Sequence, residues 1–209
     1  MSKVVVVGIG TDVGKTVVSS ILVQKFRCAY WKPIQAGDLN NSDSIKVRNF
    51  CSFEVDFVTE IYRLKNAFSP HYAASLEGIE IKKENLCLPK IDSNLIIEAA
   101  GGLMVPLNNQ NLLFIDLIKI WKLPVVLVSK HYLGSINHTL LSLEILKKYN
   151  IKLKALIWIG NENNPNEIAS EKAILNRFSI EQTHWIPLTD QLNRRFILRE
   201  ASKINFEIF

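Results

Sequence analysis

Three cysteines among 209 residues, Cys28, Cys51 and Cys87, share no CxxC spacing. Neither a paired-cysteine metal site nor a disulfide framework is therefore available. Seven prolines and nine glycines are too few for a low-complexity or collagen-like chain. No apolar stretch approaches the roughly 18 residues that cross a bilayer. The apolar start Val4–Val7 stops at Gly8, far short of a signal-peptide core. The net charge is +5, but the basic residues come as scattered pairs, Lys82-Lys83, Lys147-Lys148 and Arg194-Arg195. No run of like charge forms a nucleic-acid arm. The expectation is a soluble cytoplasmic protein with no nucleic-acid or membrane partner. What is abundant is apolar: 48% hydrophobic against 22% charged residues, enough for a sizeable core in one domain spanning residues 1–209.

Short apolar runs alternate with amphipathic segments along the whole chain. Val4–Val7, Cys28–Trp31, Leu95–Ile97, Val125–Val128, Ala155–Ile159 and His184–Ile186 are brief and β-branched, which favours buried strand over buried helix. Helical spacing appears at Val17, Val18, Ile21, Leu22 and Phe26, and again at Leu113, Leu117, Ile118 and Trp121. Leu140, Leu141, Leu143 and Leu146 form a third apolar face, and Ile168, Ala173, Ile174 and Phe178 a fourth. Apolar strands separated by helices imply a doubly wound α/β fold, its mainly parallel sheet covered by helices on both faces. Ligands of such sheets bind outside the carboxyl ends of the strands. The loops that begin at Gly8, Lys32, Glu98 and Asn161 are thus the places to look for chemistry.

The first loop reads Gly8-Ile9-Gly10-Thr11-Asp12-Val13-Gly14-Lys15-Thr16, between an apolar strand and an amphipathic helix. That context is the one a phosphate-binding loop requires, although five residues separate Gly8 from Gly14 where four are usual. Glycines let backbone N–H groups turn towards phosphate oxygens, and the helix N-terminus adds its dipole. Lys15 would reach the terminal phosphates, and Thr16 would offer a hydroxyl to Mg²⁺. Phosphoryl transfer also needs acidic groups to hold the metal. Glu98, after Asn94–Ile97 and before the small-residue turn Ala99-Ala100-Gly101-Gly102, is a metal ligand or the cap of the next segment. Asp43, ahead of the helical pattern Ile45–Phe50, is a metal ligand or a plain helix-start charge. Lys32, in a stiff turn bounded by Pro33 and Gly37, points into the crevice or out into water.

Six segments in this order resemble the dethiobiotin synthetase family: Gly8–Thr16, Lys32–Gly37, Asn41–Asp43, Ser69–His71, Glu98–Gly102 and Leu133–His138. The resemblance runs from Val4 to about Pro187. It implies a P-loop NTPase fold, ATP as co-substrate, Mg²⁺, and ring closure on 7,8-diaminopelargonic acid with CO₂ or bicarbonate. It implies ATP binding by Gly10, Thr11, Asp12, Val13, Gly14, Lys15, Thr16 and Val17. Lys15, Lys32 and Thr11 would be catalytic, and Thr16, Asp43 and Glu98 would hold Mg²⁺. Asn161 matches the asparagine that reads adenine, and Pro187 the other wall of the base pocket. The resemblance further implies a homodimer in which the helix start Gly134, Ser135, Ile136 and Asn137 meets the substrate carboxylate of the neighbouring subunit. Ordinary capping and packing is the other reading of Asn137 and His138.

The match has departures. Asp12 stands where a glutamate is common, Ala99 where a glycine is usual, and Ala36 where many relatives carry a hydroxyl. The tail after Leu188 matches weakly and carries no assigned site. Rival readings each lack a feature. A related amide synthase needs an added glutaminase domain, for which 209 residues leave no room. A partition-type ATPase carries a lysine near the start of the loop, where this chain has Gly8 and Ile9. A GTPase needs an Asn-Lys-x-Asp guanine reader, and none is found.

Overall fold

Each apolar run becomes a strand because its β-branched residues suit a pleated surface covered on both sides. In the computed structural model, which describes residues 1–209, β1 (Lys3–Gly8) is the central strand of a seven-stranded sheet. β6 (Leu95–Gly102), β2 (Ala29–Trp31) and β4 (Phe57–Val58) follow in turn on one side. On the other side lie β7 (Val125–Lys130), β8 (Leu153–Gly160) and β9 (Thr183–Pro187). Every pairing is parallel. The chain builds one half of the sheet before crossing to the other, so a crevice opens at the carboxyl end of β1, between β6 and β7.

The period of two along each strand sends alternate residues to opposite faces. Val5 and Val7 join the core shared with α3 (Pro70–Leu76), α4 (Phe114–Trp121), α5 (Ser135–Lys148) and α6 (Pro165–Arg177). Val4 and Val6 join the core beneath α1 (Lys15–Phe26), α2 (Asp43–Phe50) and α7 (Arg194–Lys203). This is the doubly wound, helix-covered parallel sheet the apolar pattern implies. No helix is long and apolar enough to cross a membrane.

Several local expectations need correction. The small residues Ala99–Gly102 do not form a turn; β6 runs through them, so Glu98 lies within a strand. Glycine suits position 102 because a Cβ there would lie only 3.3 Å from the Gly8 carbonyl oxygen. The segment after Lys32 is not a plain turn either. Ile34–Ala36 is a short strand, β3, paired in parallel with β5 (Tyr62–Leu64). Helix α2 starts at Asp43 itself, capped by Ser42, rather than at Ile45. The residues after Leu188 form α7 and an extended tail whose alternate side chains, Ile204, Phe206 and Ile208, are buried against the α1 side of the sheet.

That tail matters because α1 carries the phosphate loop. Replacing buried Phe206 with alanine is expected to cost about 3 kcal/mol or more in urea unfolding, through a cavity that backbone motion fills only in part. Leu198→Ala, on the exposed side of α7, is the control and should stay within about 0.5 kcal/mol of the unaltered protein.

Candidate active site

The loop after β1 climbs over the sheet and enters α1 through Gly14, whose φ of 94° lies in the left-handed region. A Cβ at Gly14 would also press on Ile159 Cγ1 at 3.2 Å, so glycine is required twice over. Asp12 is left-handed too, with φ 55°, a conformation aspartate tolerates better than most side chains. No N–H between Gly10 and Val17 donates to a backbone carbonyl. Ile9 N–H is spent on Val128 O and Val18 N–H on Gly14 O, which brackets the open stretch. Such a run of free donors at a helix N-terminus is a ready anion cradle. Lys15 closes it, its Nζ donating to Gly10 O at 2.8 Å. Burial, then the nearby Lys32 ammonium, pulls the Lys15 pKa down from 10.5 to about 8.

Beside the cradle, Glu98 is 1% exposed and every neighbour serves it. Thr16 Oγ1 donates to Oε1 at 2.9 Å, Tyr30 OH to Oε2 at 2.9 Å, and Lys32 Nζ to Oε1 at 3.0 Å. Lys32 Nζ also bonds Ala99 O at 3.2 Å and lies 2.6 Å from Asp43 Oδ2. Burial works against the Lys32 charge, but Glu98 and Asp43 outweigh it and its pKa is raised. Asp43 is likewise half-starved of water, yet the Lys32 ammonium holds its pKa below the ordinary carboxylate value. Burial, then Glu98, keeps the Tyr30 phenol protonated as a donor. Gln35 orients Asp43 from behind, accepting the Asp43 N–H at 3.1 Å while donating to Gly37 O at 2.9 Å. Lys46 adds a third cation, bonded to Asp38 at 2.8 Å.

These groups line one cavity of about 850 Å³. It brings together Thr11, Asp12, Gly14, Lys15, Thr16, Val17, Lys32, Asp43 and Glu98. Gly10 contributes its carbonyl to Lys15 from the loop above. The Val13 side chain is buried in the core under the loop, so only its backbone faces the cradle. Asn161 and Pro187 lie outside this cavity, at the carboxyl ends of β8 and β9. Gly134, Ser135, Ile136 and Asn137 line a separate hollow of about 590 Å³ at the start of α5. There the Ile136 and Asn137 N–H groups donate to no backbone carbonyl. Tyr132, hydrogen-bonded to His138 Nδ1 at 2.8 Å, places its hydroxyl over Gly10 and so joins the two regions. Sequence reasoning gave Tyr30 no role, since a tyrosine inside an apolar strand reads as core. Gln35 and Ser69 lie in the segments Lys32–Gly37 and Ser69–His71, but only the folded chain shows what they face.

A family model described as an AAA domain matches residues 2–195. The ATP-dependent dethiobiotin synthetase BioD of Rhodopseudomonas palustris (strain BisB18) is 38% identical over 205 residues, covering 98% of this chain and 95% of that protein. The chain belongs to the dethiobiotin synthetase family. The synthetase of Christiangramia forsetii is 49% identical over 168 residues, covering 80% of each chain. That of Bradyrhizobium diazoefficiens is 44% identical over 197 residues, covering 93% of each. Among solved structures, the cell division ATPase MinD of Pyrococcus furiosus has a TM-score of 0.57 at 12% identity, covering 97% of this chain and 98% of that one. A ParA family ATPase from Chlorobium tepidum has a TM-score of 0.55 at 12% identity, covering 96% and 98%. At such identity these two share the fold alone.

For this synthetase-family chain, keeping Lys15 charged inside the cradle has a cost in stability. Its folded pKa of about 8 lies below its ordinary 10.5, so the unfolded chain binds the proton more tightly. The penalty is fully present below pH 8 and fades as pH rises towards 10.5. Lys15→Met, studied without nucleotide and with a chelator, should therefore unfold roughly 1–3 kcal/mol later at pH 7. The gap should close between pH 8 and 10.5. A constant gap across that range would mean that burial of the charge is not its source.

Proposed function

We propose that the chain closes a ureido ring at the expense of ATP: 7,8-diaminopelargonic acid, CO₂ and ATP give dethiobiotin, ADP and phosphate. The observation that carries this reading is the buried Lys32 ammonium in the same cavity as the open phosphate loop. A nucleotide switch needs only the loop. A reaction in which a carbamate anion attacks a triphosphate needs a second, fixed cation where the nucleophile sits.

In the proposed sequence one substrate amine attacks CO₂, forming an N–C bond and releasing a proton, to give the carbamate. A carbamate oxygen then displaces ADP from the γ-phosphorus. The second amine attacks the carbonyl carbon of the mixed anhydride, phosphate leaves, and the ring closes. Two anions must meet, so positioning and charge neutralisation carry most of the barrier. The N–H groups from Gly10 to Val17 would hold the phosphates, and Lys15 would stabilise the transferring group. Lys32 would hold and polarise the carbamate, with Thr11 contacting substrate and phosphate. The apolar wall formed by Ile34, Ala67, Phe68, Pro70 and Val105 suits the substrate's methylene chain.

Mg²⁺ fits the donor set. Thr16, Asp43 and Glu98 offer hard oxygens, and the two carboxylates already converge on a single cation, Lys32. No group of three or more His, Cys, Asp or Glu side chains could hold a metal alone. Phosphate oxygens and water would complete the shell, which is the usual habit of this ion. Bound there it would offset phosphate charge. Asn161 would read adenine with its amide, against Pro187 on the facing strand. Free thiols at Cys28, Cys51 and Cys87 agree with a reducing cytoplasm.

We also propose a homodimer, with the α5 start Gly134, Ser135, Ile136 and Asn137 receiving the substrate carboxylate of the neighbouring subunit. Its free Ile136 and Asn137 N–H groups suit an anion. The exposed Leu133, Ile136 and Leu141 flank it with apolar surface that a partner would cover.

ADP release is the direct test. It should require both diamine and bicarbonate, with little turnover when the diamine is omitted; fast release from ATP alone would favour a nucleotide switch. Lys15→Ala should lower turnover by about 10²-fold or more. Lys32→Ala should lose turnover while ATP affinity survives, and equal loss of nucleotide affinity in both variants would contradict the role of Lys32.

The dimer has its own check. Lys15→Ala chains mixed with Ser135→Trp chains should regain activity, because some hybrid dimers contain one wholly intact site. Two inactive parents that stay inactive after verified subunit exchange would confine the site to one chain.

A further inference from the structure

The loop that carries Asn161 is held by an acidic side chain from the next helix. Glu167 Oε2 accepts the Asn161 N–H at 2.7 Å, and Oε1 accepts from Asn164 Nδ2 at 3.3 Å. The carboxylate reaches this point through a slot that exists only because residue 160 is glycine. A Cβ on Gly160 would fall on Glu167 Oε2 and 3.1 Å from His131 Cδ2. The His131 ring is the far wall of the slot, stacked on Trp185 with centroids 5.2 Å apart and planes 3° from parallel. Its Nε2, 4.0 Å from Glu167 Oε2, is buried without a hydrogen-bond partner. Burial lowers the His131 pKa, which favours the neutral ring.

Helix capping alone does not explain this arrangement. Glu167 is the third residue of α6 after the Asn164 cap, where a capping box would send its carboxylate to the cap's own N–H. Here Asn161 O takes the Asn164 N–H at 2.9 Å, and Glu167 reaches three residues further back. The Asn161 side chain is itself restrained, its Oδ1 accepting the Asn163 N–H at 3.0 Å. The second Oδ1 lone pair and both Nδ2 protons remain for a ligand.

We propose that Glu167, admitted by Gly160, is a positioning residue for nucleotide-base selection: it fixes the backbone from which the Asn161 amide reads the base. The inference rests on the reading above that Asn161 meets adenine. A paired donor and acceptor discriminates between bases only when its own frame is held to within about half an ångström. A hydrogen bond to an ionised carboxylate is among the stronger ways to hold a backbone N–H.

The test is equilibrium binding of ATP and of GTP, without diamine, to the unaltered protein and to Glu167→Ala, Glu167→Gln and Gly160→Ala. Glu167→Ala should weaken ATP about tenfold, the size of one hydrogen bond to a charged acceptor, and leave GTP nearly unchanged. Glu167→Gln retains the acceptor and should recover most of the loss. Gly160→Ala should reproduce the loss by expelling the carboxylate, and adding Glu167→Ala to it should cost nothing more, as for two changes in one contact. In turnover the defect should fall on KM for ATP rather than on kcat. Should Glu167→Ala fail to fold, Gly160→Ala decides alone. An unaltered protein that prefers neither base, an unchanged ATP-to-GTP ratio in the variants, or equal weakening of both nucleotides with a lowered Tm would each overturn the proposal. Because binding is read without diamine, a protein that selects ATP but forms no dethiobiotin would refute the reaction and leave this inference standing.

Discussion

A carboxylate removed from water must be given other partners, and Glu98 receives them from two parts of the chain far from it in sequence. Thr16 comes from α1, Tyr30 from β2, and Lys32 from the residue after β2. Leaving any one unpaired would cost several kcal/mol, because the charge cannot relax into solvent. The phosphate loop, the edge of the lysine segment and the central strand pair are thus fixed relative to one another by a single anion. Lys32 extends the constraint to Asp43 at 2.6 Å, and Gln35 extends it again to the start of α2.

Lys15 and Lys32, two of the three lysines that line the cavity, are held in opposite ways. Lys32 is surrounded by carboxylates that raise its pKa, and its charge is settled before any ligand arrives. Lys15 has only carbonyl company at close range and is drawn down to about 8. On the proposed reading, an arriving phosphate would supply the anion that Lys15 lacks, and would gain more at Lys15 than at the already paired Lys32. The difference follows from where Glu98 spends its two oxygens.

Much of this was legible in the sequence, for identifiable reasons. Val4–Val7 and Val125–Val128 are short, β-branched and bounded by loops, and both are strands. The glycines and Gly-Lys-Thr of the first loop stand between a strand and a helix, as the apolar pattern around them indicates. Lys32, Asp43 and Glu98 could be named as candidates, but their mutual contact depends on β2 pairing with β6, a long-range event that no local pattern encodes. The β3–β5 pair escaped because three-residue strands carry too little periodicity. The tail escaped because Ile204, Phe206 and Ile208 alternate with polar residues over only a few positions, though all three are buried. Glu167 escaped because a glutamate in the first turn of a helix has an ordinary electrostatic explanation.

The burial of Phe196, Ile197, Ile204, Phe206 and Ile208 against the α1 side of the sheet sets an order of events for the chain. Loop 8–16 and α1 are made well before Phe196, Ile197, Phe206 and Ile208, which back that face from far along the sequence. Closing so long a loop is entropically slow and is rewarded only once both ends have emerged. A nascent chain therefore carries loop 8–16 without this bracing until residues 196–208 have emerged. The support for α1 is complete only when these distant hydrophobic residues have docked.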